Sequence, residues 1–337
     1  MSLPFGLKAP SRGTLIFSGI AGALSGIIYT SNQNAEKSRR ALAQRVQHLA
    51  ERPCGVHEMP RKVTVYISAP PGDSLEKSRN WFREYVKPVL VAGAIDYEVK
   101  EAKEPGQVES SVIEEVVKQR REASEVSEKP TERVTNPFIN LEVLKKPPTS
   151  KVEIDGILAI GRNAYREVLN GLAKGCEASL LENQEKWADS VDQITSEELD
   201  IAASETIMEP LLIEEENKIE EKESTFSLPP KFSPVIYIPH INIIGWSNIP
   251  YRLYMWYADY KRIEDVGEYV VAAVLNQTRP FETKDADKGQ EEKKYWIGDE
   301  KVEELKKNDP PIVIDERIID RLSTYIMNSD NTEPIEK

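Results

Sequence analysis

The sequence predicts an α/β protein: a single N-terminal transmembrane helix, then a soluble domain on a mainly parallel sheet. Three observations carry this. Thr14–Thr30 (TLIFSGIAGALSGIIYT) is an uncharged run near the N-terminus. Short strand-like runs at Lys62–Ser68, Ile95–Val99 and Asp155–Gly161 alternate with helical patterns. The composition, 30% charged and 39% hydrophobic over 337 residues, suits an ordinary folded domain beyond the anchor.

At about 1.5 Å per residue the uncharged run spans roughly 26 Å, slightly less than a ~30 Å hydrocarbon core. Arg12 ahead of it can snorkel, and Tyr29 suits an interface. A secretory signal peptide has a similar outline. No small-x-small cleavage site follows, however, and Ser31–Asn34 lead into another helical pattern, so an uncleaved anchor is expected. Ser18, Gly22 and Gly26 recur every four residues and share one helix face, which lets a second helix approach closely in lipid. No acidic residue precedes Glu36, as in acid-poor mitochondrial import segments.

The rest of the chain divides by pattern. Residues 1–13 form a tail, 14–30 the span and 31–60 a helical stalk, with Leu42, Val46 and Leu49 as its thin apolar stripe. Residues 61–176 form an α/β lobe. Its first strand is Lys62–Ser68, followed by a turn at Ala69–Gly72. A helix comes next, capped by Asp73 or Ser74, with Trp81, Phe82, Tyr85 and Val86 on its buried face and Pro88 near its end. The strand Ile95–Val99 and the helix Val108–Ala123 follow, then a proline-rich loop at 128–150. The continuous apolar strand Asp155–Gly161 and the helix Arg162–Lys174 complete the lobe. The β-α-β-α-β-α order implies parallel strands with right-handed crossovers. Residues 177–230 read as an acidic, partly disordered insertion. Residues 231–330 form a second lobe, with strands at Val235–Ile238 and Ile241–Ile244 and a helix at Asp265–Leu275. A short strand at Pro311–Ile314 and a final helix at Glu316–Met327 end it.

The net charge of −13 is concentrated in that insertion, where acidic residues far outnumber Lys186, Lys218 and Lys222. The remainder is near neutral and has no basic stripe, which argues against a nucleic-acid partner. The two cysteines, Cys54 and Cys176, exclude a disulfide framework. Cys54 and His57 form a C-x-x-H, but only His48 and His240 remain as further histidines, so it reads as a solvated pair and no metal is expected. No Walker loop, G-x-G-x-x-G, G-x-S-x-G or H-E-x-x-H is present, and no cofactor is expected. Trp246, Tyr251, Tyr254, Trp256, Tyr257 and Tyr260 cluster beside Arg252, Lys261 and Arg262. On a helix starting near Ile249 these rings point in several directions, so one buried face cannot absorb them all. They mark a candidate contact surface for a partner protein or the lipid headgroup layer.

Asp155-Gly-Ile-Leu-Ala-Ile-Gly161, followed by Glu167-Val-Leu-Asn-Gly-Leu172, resembles the nucleotide-loop region of diacylglycerol- and acylglycerol-kinase-type lipid kinases. The strand Lys62–Ser68 sits where those kinases place their first strand. The kinase loop uses glycines and an aspartate to admit phosphate. Here Gly161 is kept, but Arg162, Asn163, Ala164 and Tyr165 stand in the glycine, aspartate, glycine and threonine positions. Ala69-Pro-Pro-Gly72 also lacks the asparagine of the kinases' first turn. The expectation is a kinase-like scaffold in the first half without a working nucleotide loop and with no catalytic residues. The alternative is an active membrane-associated acylglycerol kinase.

Several segments together resemble one family. They are Ala9-Pro-Ser-Arg12, Met59-Pro-Arg-Lys-Val-Thr-Val65, Tyr85-Val-Lys-Pro88, Ile241-Asn-Ile-Ile-Gly245, Pro250-Tyr-Arg-Leu253, Val266–Ala272 and Val313-Ile-Asp-Glu-Arg-Ile-Ile319. The family is that of the fifty-four-kilodalton subunits of the fungal mitochondrial inner-membrane carrier translocase. The resemblance implies a single-pass inner-membrane protein with its N-terminus in the matrix and its main domain in the intermembrane space. It implies a non-catalytic role in docking and complex assembly. The implied partners are the channel and other membrane subunits, small intermembrane-space chaperones, carrier-protein clients and inner-membrane lipid. Counting Lys8 and Arg12 against Lys37, Arg39, Arg40 and Arg45 would give the opposite orientation, but a folded domain weakens such a count. A tethered protein of the endoplasmic reticulum is a third reading, with Asn276-Gln-Thr278 as a glycan acceptor.

Overall fold

The computed structural model describes residues 11–53, 60–70, 73–128, 154–178, 226–243, 245–246, 248–290, 292, 312 and 314–327. The Cys54/His57 pair, most of the proline-rich loop and most of the acidic stretch lie outside them.

Helix α1 (Arg12–Ala50) is continuous, so the expected span and the start of the stalk are one rod. Ser11 caps it, its hydroxyl accepting from Thr14 N–H at 3.2 Å. The apolar half stands exposed: Leu15, Phe17, Ile20, Leu24 and Tyr29 each expose more than half their surface. Among the described residues this is the one helix long and apolar enough to cross a membrane. The second half buries Ala35, Ser38, Leu42 and Val46, a seam at helical spacing.

That seam lies against α7 (Asp259–Leu275), where Ser38 Oγ donates to Glu264 at 2.6 Å and Arg45 forks onto the Glu268 carboxylate.

Four parallel strands form the main sheet in the order β2-β1-β3-β4: β1 (Lys62–Ser68), β2 (Asp96–Ala102), β3 (Ile154–Ile160) and β4 (Val235–Ile238). Each side is covered by helices, which is why β1 and β4 are buried almost throughout. Val63, Val65 and Ile67 face a layer made by the lower half of α1, α7 and a helical segment after β1. That segment comprises α2 (Leu75–Trp81), a π-helical turn (Phe82–Val86) and α3 (Lys87–Ala92). The π turn has a local cause. Lys87 N–H bonds back to Phe82 O, and Pro88 just after it has no N–H to continue an ordinary ladder.

Tyr66, Ile157, Ala159 and Tyr237 face the other layer, formed by α4 (Gln107–Glu128), α5 (Gly161–Glu177) and C-terminal residues. Two residues of the kinase-like run have structural duties in this layer. Glu167 accepts the Val108 N–H at 3.1 Å, capping the start of α4. A Cβ on Gly171 would lie 2.9 Å from Glu109 O, so only glycine lets α4 and α5 meet there. Arg120 closes the far end of α5, donating to Gly175 O at 2.6 Å and Ala178 O at 2.7 Å.

Three expectations fail. After β4 the residues 239–243 form no strand; His240 gives its N–H to a side chain rather than to a sheet ladder. Ile312 and Ile314 are likewise outside any strand. The final helix is only α9 (Glu316–Ile319). The chain then turns into β6 (Ser323–Tyr325), antiparallel to β5 (Thr278–Pro280). Tertiary contacts override helix propensity here. Tyr325 is buried with its hydroxyl donating to Asp155 O at 3.3 Å, and Thr324 donates to Val235 O at 2.9 Å. A single turn, α8 (Thr283–Ala286), lies between β5 and α9.

Candidate functional sites: a filled loop and an open face

The loop between β3 and α5 is where the sequence suggested a degenerate nucleotide site. Gly161 holds φ +83°, a left-handed conformation that suits glycine and turns the strand sharply into the helix. Free N–H groups at such a helix start donate readily to a phosphate. Here the chain supplies its own carboxyl acceptor. Arg162 N–H donates to Glu292 Oε2 at 3.0 Å, and Glu292 Oε1 accepts the His240 N–H at 2.8 Å and the Tyr237 hydroxyl. The side chains fill the remaining space. Arg162, 1% exposed, donates to Lys288 O at 2.9 Å and Asp287 Oδ1 at 2.8 Å. Tyr165, equally buried, donates to Asp285 O at 2.8 Å; Ala164 is buried and Asn163 half-buried. Burial pushes the Glu292 carboxyl up to about 7, against the donors that favour its charge. Burial likewise pushes the His240 imidazole down to about 3, with Lys77 adding to the effect.

The second region is the face beside the anchor. Helix α6 (Ile249–Tyr257) begins where the aromatic cluster predicted a helix, and of its residues only Met255 is buried. None of the six predicted rings is buried: Trp246 is 89% exposed, Tyr251, Tyr254, Trp256 and Tyr257 are exposed and Tyr260 is half-exposed. Tyr251 and Tyr254 stack at 6.4 Å, and the Lys261 ammonium lies 5.4 Å from the Tyr254 ring. Arg252 is exposed beside them. The helix sits where α1 leaves its apolar half, with Ser31 Oγ donating to Trp256 O at 3.3 Å. Ser18, Gly22 and Gly26 lie further along the exposed half, and a Cβ on either glycine would meet nothing within 4 Å. The structure brings the loop residues together in one knot and the aromatic residues together at the anchor, but does not join the two sets.

Sequence reasoning missed Glu292 and gave His240 no role. Glu292 sits in the charged run Glu291-Glu292-Lys293-Lys294, which carries no sign of burial. His240 is a lone histidine after a strand, and its packing on Trp81 at 4.7 Å is a long-range contact.

Fold and face together define a helix-tethered α/β domain whose loop is closed and whose anchor side is exposed. A family model for the inner membrane protein import complex subunit Tim54 matches residues 1–225 and 181–325. The chain belongs to that family, and so to the subunits of the mitochondrial inner-membrane import translocase. It is 30% identical over 282 residues to the mitochondrial import inner membrane translocase subunit tim54 of Schizosaccharomyces pombe, covering 80% of this chain and 78% of that protein. It is 25% identical to the TIM54 subunit of Candida albicans, covering 86% of each, and 25% identical to that of Saccharomyces cerevisiae, covering 86% and 84%.

Proposed function

We propose that this chain is a non-catalytic docking and assembly subunit of the inner-membrane translocase that inserts multispanning carrier proteins. Helix α1 spans the membrane, with the N-terminus in the matrix and the α/β domain in the intermembrane space. The small-residue face of Ser18, Gly22 and Gly26 meets a helix of the channel or another membrane subunit. The exposed rings around α6 face protein partners, among them the small intermembrane-space chaperones and carrier clients. The observation that carries the non-catalytic reading is the Glu292 carboxylate seated on the start of α5, where a nucleotide phosphate would need the same N–H groups. It supports a scaffold in which the kinase-like loop serves as core.

The test uses the full chain in detergent. Titration with magnesium-ATP is expected to give no binding, and acylglycerols no phosphoryl transfer. Turnover that Asn163→Ala abolishes would establish the kinase alternative instead. In isolated mitochondria the chain is expected in a high-mass assembly on native gels, with the α/β domain cut by protease only after the outer membrane is opened. A freely migrating monomer would defeat the assembly role.

A further inference from the structure

An open cavity of about 550 Å³ lies between α1, α2, the residues after β4 and α6. Ile28, Ile241 and Trp256 form its apolar wall. Four cations line it against three acids, and most are paired with neighbours. Lys77 lies 3.5 Å from Asp73, Arg262 3.8 Å from Asp259, and Arg40 takes Glu36 at 3.0 Å. Arg39 and Arg252 have no anionic partner among the described residues; the one acid left opposite them is the exposed Glu84.

The position of this pair decides what it suits. Ile28 belongs to the exposed apolar half of α1, so the cavity opens where that half ends. With α1 across a bilayer, its mouth lies at headgroup depth, flanked by the rings of α6, the depth at which aromatic side chains and cations are favoured. Two unpaired guanidinium groups suit a phosphodiester, and the apolar wall suits the glycerol and first methylenes behind it. A free phosphate would satisfy the arginines and leave that wall unused. We infer that this cavity is a headgroup site for an anionic phospholipid of the membrane that α1 crosses. The site extends the anchoring reading above and would fix the domain's tilt on the bilayer.

The test titrates the full chain, in a neutral detergent, with short-chain phosphatidylglycerol, short-chain phosphatidylcholine and inorganic phosphate in turn, followed by calorimetry. Phosphatidylglycerol is expected to bind with saturation and more tightly than either comparator. Arg39→Gln with Arg252→Gln is expected to weaken it about thirtyfold. Arg83→Gln with Lys87→Gln, an exposed pair outside the cavity, should leave it unchanged, and thermal melts should show both variants folded. Equal binding of the two lipids would overturn the inference, as would phosphate binding as tightly as phosphatidylglycerol, or equal loss in both variants. Alkaline extraction of mitochondrial membranes tests the anchor separately. Release of the chain there would defeat the span, while the micelle titration still reads the site.

Discussion

The β3–α5 loop and the α1–α6 face handle polar groups in opposite ways. At the loop, the Arg162 guanidinium and the Glu292 carboxylate are both out of water and both answered from within the chain. At the anchor side, rings stand in the open and Arg39 and Arg252 have no anionic partner among the described residues. Buried charge that is fully partnered holds a conformation, whereas exposed rings beside free cations are available to something outside the chain. The groups open to an outside partner therefore lie beside the anchor helix and not at the end of the sheet.

The largest effect should come from breaking the closed region. Arg162→Met removes the buried donor to Asp287 and Lys288 and the positive charge that favours ionised Glu292, and is expected to cost about 4 kcal/mol. The urea midpoint of the full chain in detergent reads this; an unchanged midpoint would mean the knot does not hold the fold.

The pH dependence sharpens the same side. Glu292 has a folded value of about 7 against 4.5 ordinarily, so between them the folded state keeps a proton the unfolded state has released. Its contribution, present at low pH, is lost as pH rises through that window and amounts to about 3 kcal/mol. His240 works the other way: with a folded value of about 3 against 6.5, its contribution is present above 6.5 and lost as pH falls. The two slopes oppose each other where they overlap. Glu292→Gln should leave only the His240 slope, with stability rising toward pH 6.5 and then level, and without the parent's decline toward pH 7. Parallel profiles for parent and variant would show that Glu292 does not titrate there.

A smaller effect is expected at the link between the regions. Leu42→Ala, at the seam of α1 on α7, should cost about 2 kcal/mol. Hydrogen exchange should quicken in 35–49 while the strands stay protected; uniform quickening would mean α1 and the sheet unfold as one unit.

The smallest stability effect should be at the open face. Tyr251→Ser with Tyr254→Ser and Tyr257→Ser should shift unfolding by no more than ~0.5 kcal/mol, yet reduce the high-mass assembly on native gels. Loss of stability with the assembly intact would reverse the roles assigned to these rings.

Much of the fold could be read from local pattern. The strands at Lys62–Ser68 and Val235–Ile238 were set by β-branched runs, α6 by the proline and rings after Asn248, and α1 by its uncharged stretch. The C-terminus could not. Glu316–Met327 has helical spacing, but the fold uses Thr324 and Tyr325 to close the underside of the sheet. The residues after β4 could not either, because their apolar pattern gives no hint that His240 N–H is claimed by Glu292.

Sequence alone determined which segments avoid water, which alternate and which carry rings and cations, since those are properties of neighbours along the chain. It also determined that Arg162 and Tyr165 replace the small residues a phosphate loop requires. Only the tertiary structure decided that Glu292, 130 residues beyond Arg162, would cap α5, and that Arg39 and Arg252 would line one cavity with no ion-pair partner among the described residues. Such pairings depend on distances between elements far apart in sequence, and no local periodicity encodes those distances.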